Sequence, residues 1–175
     1  MSNRVRTVPI STDQEFNRTS IAAVDFEKAI EFATAAQRYP ANVVEYEALL
    51  FAALVCYVRP FSGNEKSLVS PAASRLSGAV LEALSKLERR QHDNCSVHRN
   101  KALAHSEFAL NPTRLDHATG VVKSRPFSLL ARPFDLPCFI VLAEKLSDLC
   151  QRDRAEYVLG RRRGASAAAR KSGAG

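Results

Sequence analysis

The sequence predicts an all-α protein, a helical bundle of about four main helices with one irregular or small hairpin insertion near residues 108–134. Three observations carry that expectation. Apolar residues recur at three- and four-residue spacing in four separate stretches. Hydrophobic residues make up 46% of a 175-residue chain, ample for one buried core. Strand-like character is confined to one short run, GVVKSRPFSLL. Helices that each carry one apolar stripe must bury it on one another, which gives a bundle.

Residues 1–18 are polar and read as a flexible N-terminal segment, although Thr12 and Glu15 have the spacing of a capping box. From Asp25, the spacing of Phe26, Ile30 and Ala33, with Glu27, Lys28 and Glu31 off that stripe, predicts a helix to about Arg38. Pro40 ends it. A second helix is expected from about Asn42 to Arg59, stopped because Pro60 disfavours helical geometry at the residue before it. Its stretch Ala48–Val58 carries no charge, so this helix is expected at the centre of the bundle with no solvent face.

A third helix, beginning near Pro71–Ser77, would bury Val80, Leu81, Leu84 and Leu87. The stretch HDNCS (92–96) then weakens it, since Asp93, Asn94 and Ser96 compete for backbone hydrogen bonds, and leaves open whether the helix bends, breaks or continues. If the helix continues, the same stripe passes through Gln91, Cys95, His98, Ala102 and His105, and its inward face turns from aliphatic to ionisable. Pro112, Gly120, Pro126 and Pro133 make 108–134 a long loop or small hairpin. Asp135 is a good N-cap and Pro137 fits a first turn, so a last helix is expected to bury Phe139, Ala143, Leu146, Leu149 or Cys150, and Tyr157, to close at Gly160 and to pack on the second helix. The expected organisation is one helical domain over 19–160 followed by a basic disordered tail over 161–175.

That tail, RRRGASAAARKSGAG, holds Arg161, Arg162, Arg163, Arg170 and Lys171 and no acid. Taking those five charges from the net +7 leaves +2 for residues 1–160. A tail of this kind can hold phosphate by counterion release without reading sequence. Cys56, Cys95, Cys138 and Cys150 form no C-x-x-C pair and no ligand spacing with His92, His98, His105 or His117, so neither a metal site nor a cofactor is expected. Cys56 and Cys150 read as reduced core thiols. The start of the chain has no secretion-type apolar stretch and no run is long enough to span a bilayer, so a cytoplasmic protein without membrane contact is expected.

The stretch that points to chemistry is HRNKALAHSE (98–107). Arg99 supplies a planar fork that suits phosphate oxygens, and His105, with a reference pKa of about 6.5, can give or take a proton near neutrality. Together they suit RNA cleavage without a metal: the substrate's 2′-hydroxyl attacks the adjacent phosphorus, a histidine handles protons, and an arginine stabilises the charge gathering on the phosphoryl oxygens. Asn100 is the polar residue between them, and Arg59, His98 and Lys101 are candidates for substrate contacts. Six residues advance about 600°, leaving Arg99 and His105 about 120° apart on one helix. They converge if the helix loosens, if the arginine wraps round, or if two copies of the chain meet. The plainer roles are an ion pair from Arg99 to an acid such as Glu107 and a helix-terminal charge at His105.

RNKALAH resembles the Arg, polar residue, four variable residues, His signature of the HEPN superfamily, and YVRPF (57–61) followed later by RNKALAHSE is similar to uncharacterised bacterial members of that group. The resemblance implies a compact helical bundle that forms a homodimer. It implies a metal-independent endoribonuclease of toxin-antitoxin or phage-defence type, with RNA as substrate and a partner protein or antitoxin to silence it. It places Arg99, Asn100 and His105 of both protomers in one composite catalytic cleft. The alternative within the same family is a non-catalytic helical dimer that binds RNA or a protein. The insertion near 108–134 departs from a minimal bundle.

Overall fold

The computed structural model describes residues 10–63, 75–99, 113–124 and 134–172. Among them the fold is all-α: α1 (Asp13–Ala36), α2 (Val44–Val58), α3 (Lys86–Val97) and α4 (Leu136–Ser172), with two short 3₁₀ turns (Arg59–Phe61 and Gly78–Ala83) and a small hairpin, β1 (Thr113–Asp116) and β2 (Val121–Ser124).

Helix α1 starts twelve residues before the expected Asp25, inside the segment read as loose. The reason is the capping box: Glu15 N–H donates to Thr12 Oγ1 (3.2 Å) and Thr12 N–H donates to the Glu15 carboxylate (3.1 Å), which satisfies two otherwise orphaned donors. The inward face of α1 then runs through Ala22, Ala23, Ala29, Ala33 and Ala36, all fully buried. Small side chains let neighbours approach closely, and this makes α1 the central element. Both α2 and α4 pack chiefly on it, and both run antiparallel to it. Tyr157 near the end of α4 stacks on Phe16 near the start of α1, with ring centroids 5.2 Å apart. Arg59 just beyond α2 reaches Asp25 of α1.

The uncharged stretch in α2 is therefore not the centre of the bundle. Its core face is Leu50, Ala53, Leu54, Tyr57 and Val58, while Ala48 and Phe51 face outward, Phe51 with 42% of its surface exposed. Absence of charge permits burial but does not require it, and a helix with two neighbours is covered on two sides only. The stop at Pro60 is as expected: α2 ends at Val58 and tightens into the 3₁₀ turn.

The third helix also differs from expectation. Residues 71–74 lie outside those described, and Val80 and Leu81 are buried in a 3₁₀ turn, not in an α-helix. Ser85 then caps a new helix, accepting from Glu88 N–H (3.3 Å) while its own N–H donates to the Glu88 carboxylate (2.6 Å). The new start resets the helical phase, so Leu87, expected inside, is 69% exposed. Of the courses open at HDNCS the helix takes the continuous one: α3 runs through it to Val97.

At α4 the N-cap is as read: Asp135 Oδ1 accepts from Cys138 N–H (2.9 Å). Phe139, Ala143, Leu146, Leu149 and Cys150 are buried. Gly160 does not close the helix, and the backbone of residues 161–172, expected as disordered tail, continues α4. Contacts on both sides of the glycine explain this. Tyr157 donates its hydroxyl hydrogen to Asp13 (2.5 Å), and Arg161 Nη2 donates to the same carboxylate (3.2 Å) while its guanidinium lies over the Tyr157 ring. These surface contacts act against a glycine cost of about 1 kcal/mol. In the hairpin, Thr113 pairs with Ser124 and Asp116 with Val121, and Gly120 takes the positive φ of 67° that lets the chain reverse. No helix among the described residues is long and apolar enough to cross a membrane.

Candidate functional site

The motif begins at the end of α3, so what fixes α3 fixes the site. One anchor is the pair of Lys145 with Glu88, at 2.7 and 2.9 Å, partly shielded between α4 and α3. The second is Tyr57, whose ring meets one aromatic from each neighbour: Phe26 of α1 (5.8 Å), Phe61 of the 3₁₀ turn (6.1 Å), His92 of α3 (5.9 Å) and Phe139 of α4 (5.1 Å). A buried tyrosine needs a partner for its hydroxyl. His92 Nδ1 provides it at 3.1 Å, and the imidazole packs edge-on against Phe61 with centroids 4.6 Å apart.

Beyond His92, Cys95 is fully buried and its thiol is pushed up to about 12 by desolvation, so it stays protonated and inert. The His98 N–H is shared by the carbonyls of Asn94 and Cys95, and the helix widens to π-helical geometry at His98 and Arg99. Single π turns are frequent at functional positions. Both residues are half-buried. Asn100, Lys101 and His105 lie outside the described residues, so the approach of Arg99 to His105 is not among the observed contacts.

Arg59 has a different first partner from the one expected. Its Nε is 3.1 Å from both carboxylate oxygens of Asp25, and its Nη2 also donates to that carboxylate. Asp25 is only 2% exposed, so it requires a cation, and Arg59 sits where the end of α2 delivers one. The arginine remains 53% exposed. Beside the pair, Arg18, 2% exposed, donates from Nη2 to the carbonyls of Arg59 (3.0 Å) and Pro60 (2.7 Å), closing the C-terminal end of α2.

Sequence reading missed His92, Arg18 and Asp25. Their signals were present but weak. Arg18, Ala22, Asp25 and Ala29 follow helical spacing, placing two opposite charges on an alanine face, and Tyr57 in an apolar helix implied a polar partner elsewhere.

His92 gives stability a pH dependence of defined sign. Burial holds its pKa below the usual value, with Arg89 acting in the same direction and Asp93 against it. The unfolded chain therefore binds a proton more readily, and the His92 contribution, complete above about pH 6.5, is lost as pH falls below that value. Asp153 works oppositely. Buried on α4 with no partner for Oδ1 among the described residues, it is pushed up to about 6 by desolvation and by Glu156. Its cost, on the order of 3 kcal/mol, is present above pH 6 and relieved on acidification. Thermal melts between pH 5 and 8 should therefore show a shallower acid loss for His92→Gln than for wild type, and a gain at pH 8 for Asp153→Asn. Parallel curves for His92→Gln and wild type would show that the imidazole carries no such term.

Comparison of this chain with protein-family models, with curated proteins and with solved structures returned no match.

Proposed function

We propose that this protein is a metal-independent endoribonuclease of HEPN type that works as a homodimer, with Arg99, Asn100 and His105 of two protomers in one cleft. The observation that carries the reading is the motif RNKALAH, opening at the π turn that ends α3. In this reading Arg99 stabilises the phosphoryl oxygens, His105 transfers the proton, and the attacking group is the RNA's own 2′-hydroxyl. Products end in 2′,3′-cyclic phosphate, and chelators leave the rate unchanged. Incubation of purified protein with mixed RNA in chelator, followed by end-group analysis, tests this directly. Absence of any cleavage hands the role to a non-catalytic dimer that binds RNA, a reading favoured by the arginine-rich end of α4.

That end is expected to add affinity without specificity. A chain stopped after Arg161 keeps the contact to Asp13 but loses Arg162, Arg163, Arg170 and Lys171. With about 0.7 per phosphate contact on single strands, the slope of log affinity against log salt should fall by up to about 3. An unchanged slope would make the extension a bystander.

A further inference from the structure

We propose that the corner where α2 ends is a phosphate-binding site in which Arg59 and Arg75 hold the anion, with Asp25 as the internal carboxylate that orients Arg59 and the buried Arg18 adding positive charge behind it. The proposal deepens the ribonuclease reading, in which the ligand is a phosphodiester of the bound strand.

Three arginines from separate parts of the sequence meet this one turn. Arg18 comes from the first turns of α1 and grips the carbonyls of Arg59 and Pro60. Arg59 stands at the turn itself. Arg75 is brought back to it because Leu76 N–H donates to Pro60 O (2.8 Å), which sets Arg75 Nη2 3.7 Å from where a side chain on Gly63 would begin. Among the described residues the acid bound into this group is Asp25, so the corner carries three positive charges against one negative. Cys56 next to it stays a neutral thiol, since burial pushes its pKa up.

The donors are incompletely used. Arg59 turns Nε and Nη2 to Asp25, and its Nη1 has no partner among the described residues, on a side chain half open to water. Arg18 is excluded from water yet its Nε has no partner among the described residues, and its Nη2 meets only neutral carbonyls. A buried guanidinium short of counter-charge is costly. An anion held by the outer edges of Arg59 and Arg75 would supply that charge. Phosphate suits the arrangement better than carboxylate, because its tetrahedral oxygens can accept from several guanidinium edges at once.

Asp25 makes this a built arrangement. By fixing two donors of Arg59 it prevents the side chain from collapsing onto the surface and sets the direction of the remaining edge, which lowers the ordering cost of binding. The turn also lies against the helix that carries the motif: Phe61 touches His92, and Arg99 follows seven residues later, about 10 Å along the helix axis. A bound strand carries one phosphate per nucleotide, so phosphates a few nucleotides from the one at Arg99 come within range of the corner.

The test uses the full chain with ¹⁵N-labelled arginine, titrated with inorganic phosphate at constant ionic strength in chloride. The Nε–H signals of Arg18, Arg59 and Arg75 should move together and saturate with one constant. Arg75→Gln, at an exposed position that the fold does not need, should weaken that constant about 5- to 10-fold, while Arg89→Gln on the outer face of α3 should not change it. A 2′-O-methyl RNA, which cannot be cleaved, identifies the source. Competition with phosphate, and a loss of RNA affinity in Arg75→Gln, assign the site to the RNA backbone. Saturable phosphate binding without competition supports the site with a free phosphate or small phosphate ester as its ligand. No saturable shift in the three signals, or equal phosphate binding by Arg75→Gln and wild type, overturns the proposal. Cleavage is not part of any readout, so loss of the ribonuclease reading and loss of this site are separate results.

Discussion

Asp25→Ala should destabilise the fold by about 3 kcal/mol, because it removes the carboxylate on which two arginines depend. Asp25 is buried and takes both Nε and Nη2 of Arg59, with Arg18 close enough for its charge to be felt. Without it, Arg59 can turn to water, since half its surface is already there. Arg18 cannot. It is enclosed between α1 and the 3₁₀ turn, and its remaining partners are two carbonyls. The expected cost therefore resides mainly in a buried charge left without its acid, and sits at the lower end of the range for broken buried pairs. For a domain of this size it corresponds to a fall in Tm of roughly 6–12 °C. Asp25→Asn should recover little, since a neutral amide keeps the shape but not the charge. Adding Arg18→Met should recover more, because the stranded cation is then gone and the two losses will not add. Asp25→Asn melting within a degree of wild type would refute this account of the corner.

How much of this was legible follows from the range of each interaction. Local caps act within four residues and could be read: Asp135 before Pro137 gave the start of α4, and the Thr12–Glu15 spacing was visible although the helix it begins was placed at Asp25. The end of α2 at Pro60 and the strand at Val121–Ser124 were legible for the same reason. The Ser85–Glu88 box is as local, and passing over it put Leu87 on the wrong side. What sequence spacing could not give is which helix lies at the centre. Alanine content decides that here: the hydrophobic run of α2 looked most buried, yet the small residues of α1 allow two neighbours to approach. The extension of α4 past Gly160 was hidden too, because Asp13, which holds Tyr157 and Arg161, is 144 and 148 residues away in sequence.

The candidate site divides along the same line. The motif itself is local and was readable, whereas its support is not. His92, read from its neighbours, has only polar surroundings and no partner, but its hydroxyl partner Tyr57 lies 35 residues earlier. Arg59 was assigned to substrate from its place at a helix end, where the same reasoning served a structural role equally well. Asp25 fills that role and leaves one edge of the guanidinium facing outward. The two assignments are thus compatible.

His105→Ala should reduce RNA cleavage by about 10² to 10⁴ while leaving RNA affinity nearly intact, if proton transfer is its task. A neutral imidazole contributes little to holding phosphate, so its loss should appear in the rate of the bound complex. Arg99→Ala should weaken binding as well as turnover, because a guanidinium meets phosphate in the ground state and the charge grows in the transition state. The two residues serve one transition state, so the double variant should lose far less than the product of the single losses. Single-turnover rates with protein in excess separate the steps, and binding to 2′-O-methyl RNA gives affinity free of cleavage. Mixing the two inactive variants adds a test of the composite cleft. In a mixed dimer of Arg99→Ala with His105→Ala the shared cleft keeps one Arg99 and one His105, supplied by different protomers, and activity should return in part if the two act across the protomers. If each protomer holds its own pair, mixing restores nothing. Retained cleavage by His105→Ala would remove the histidine from the chemistry and with it the ribonuclease reading of the motif.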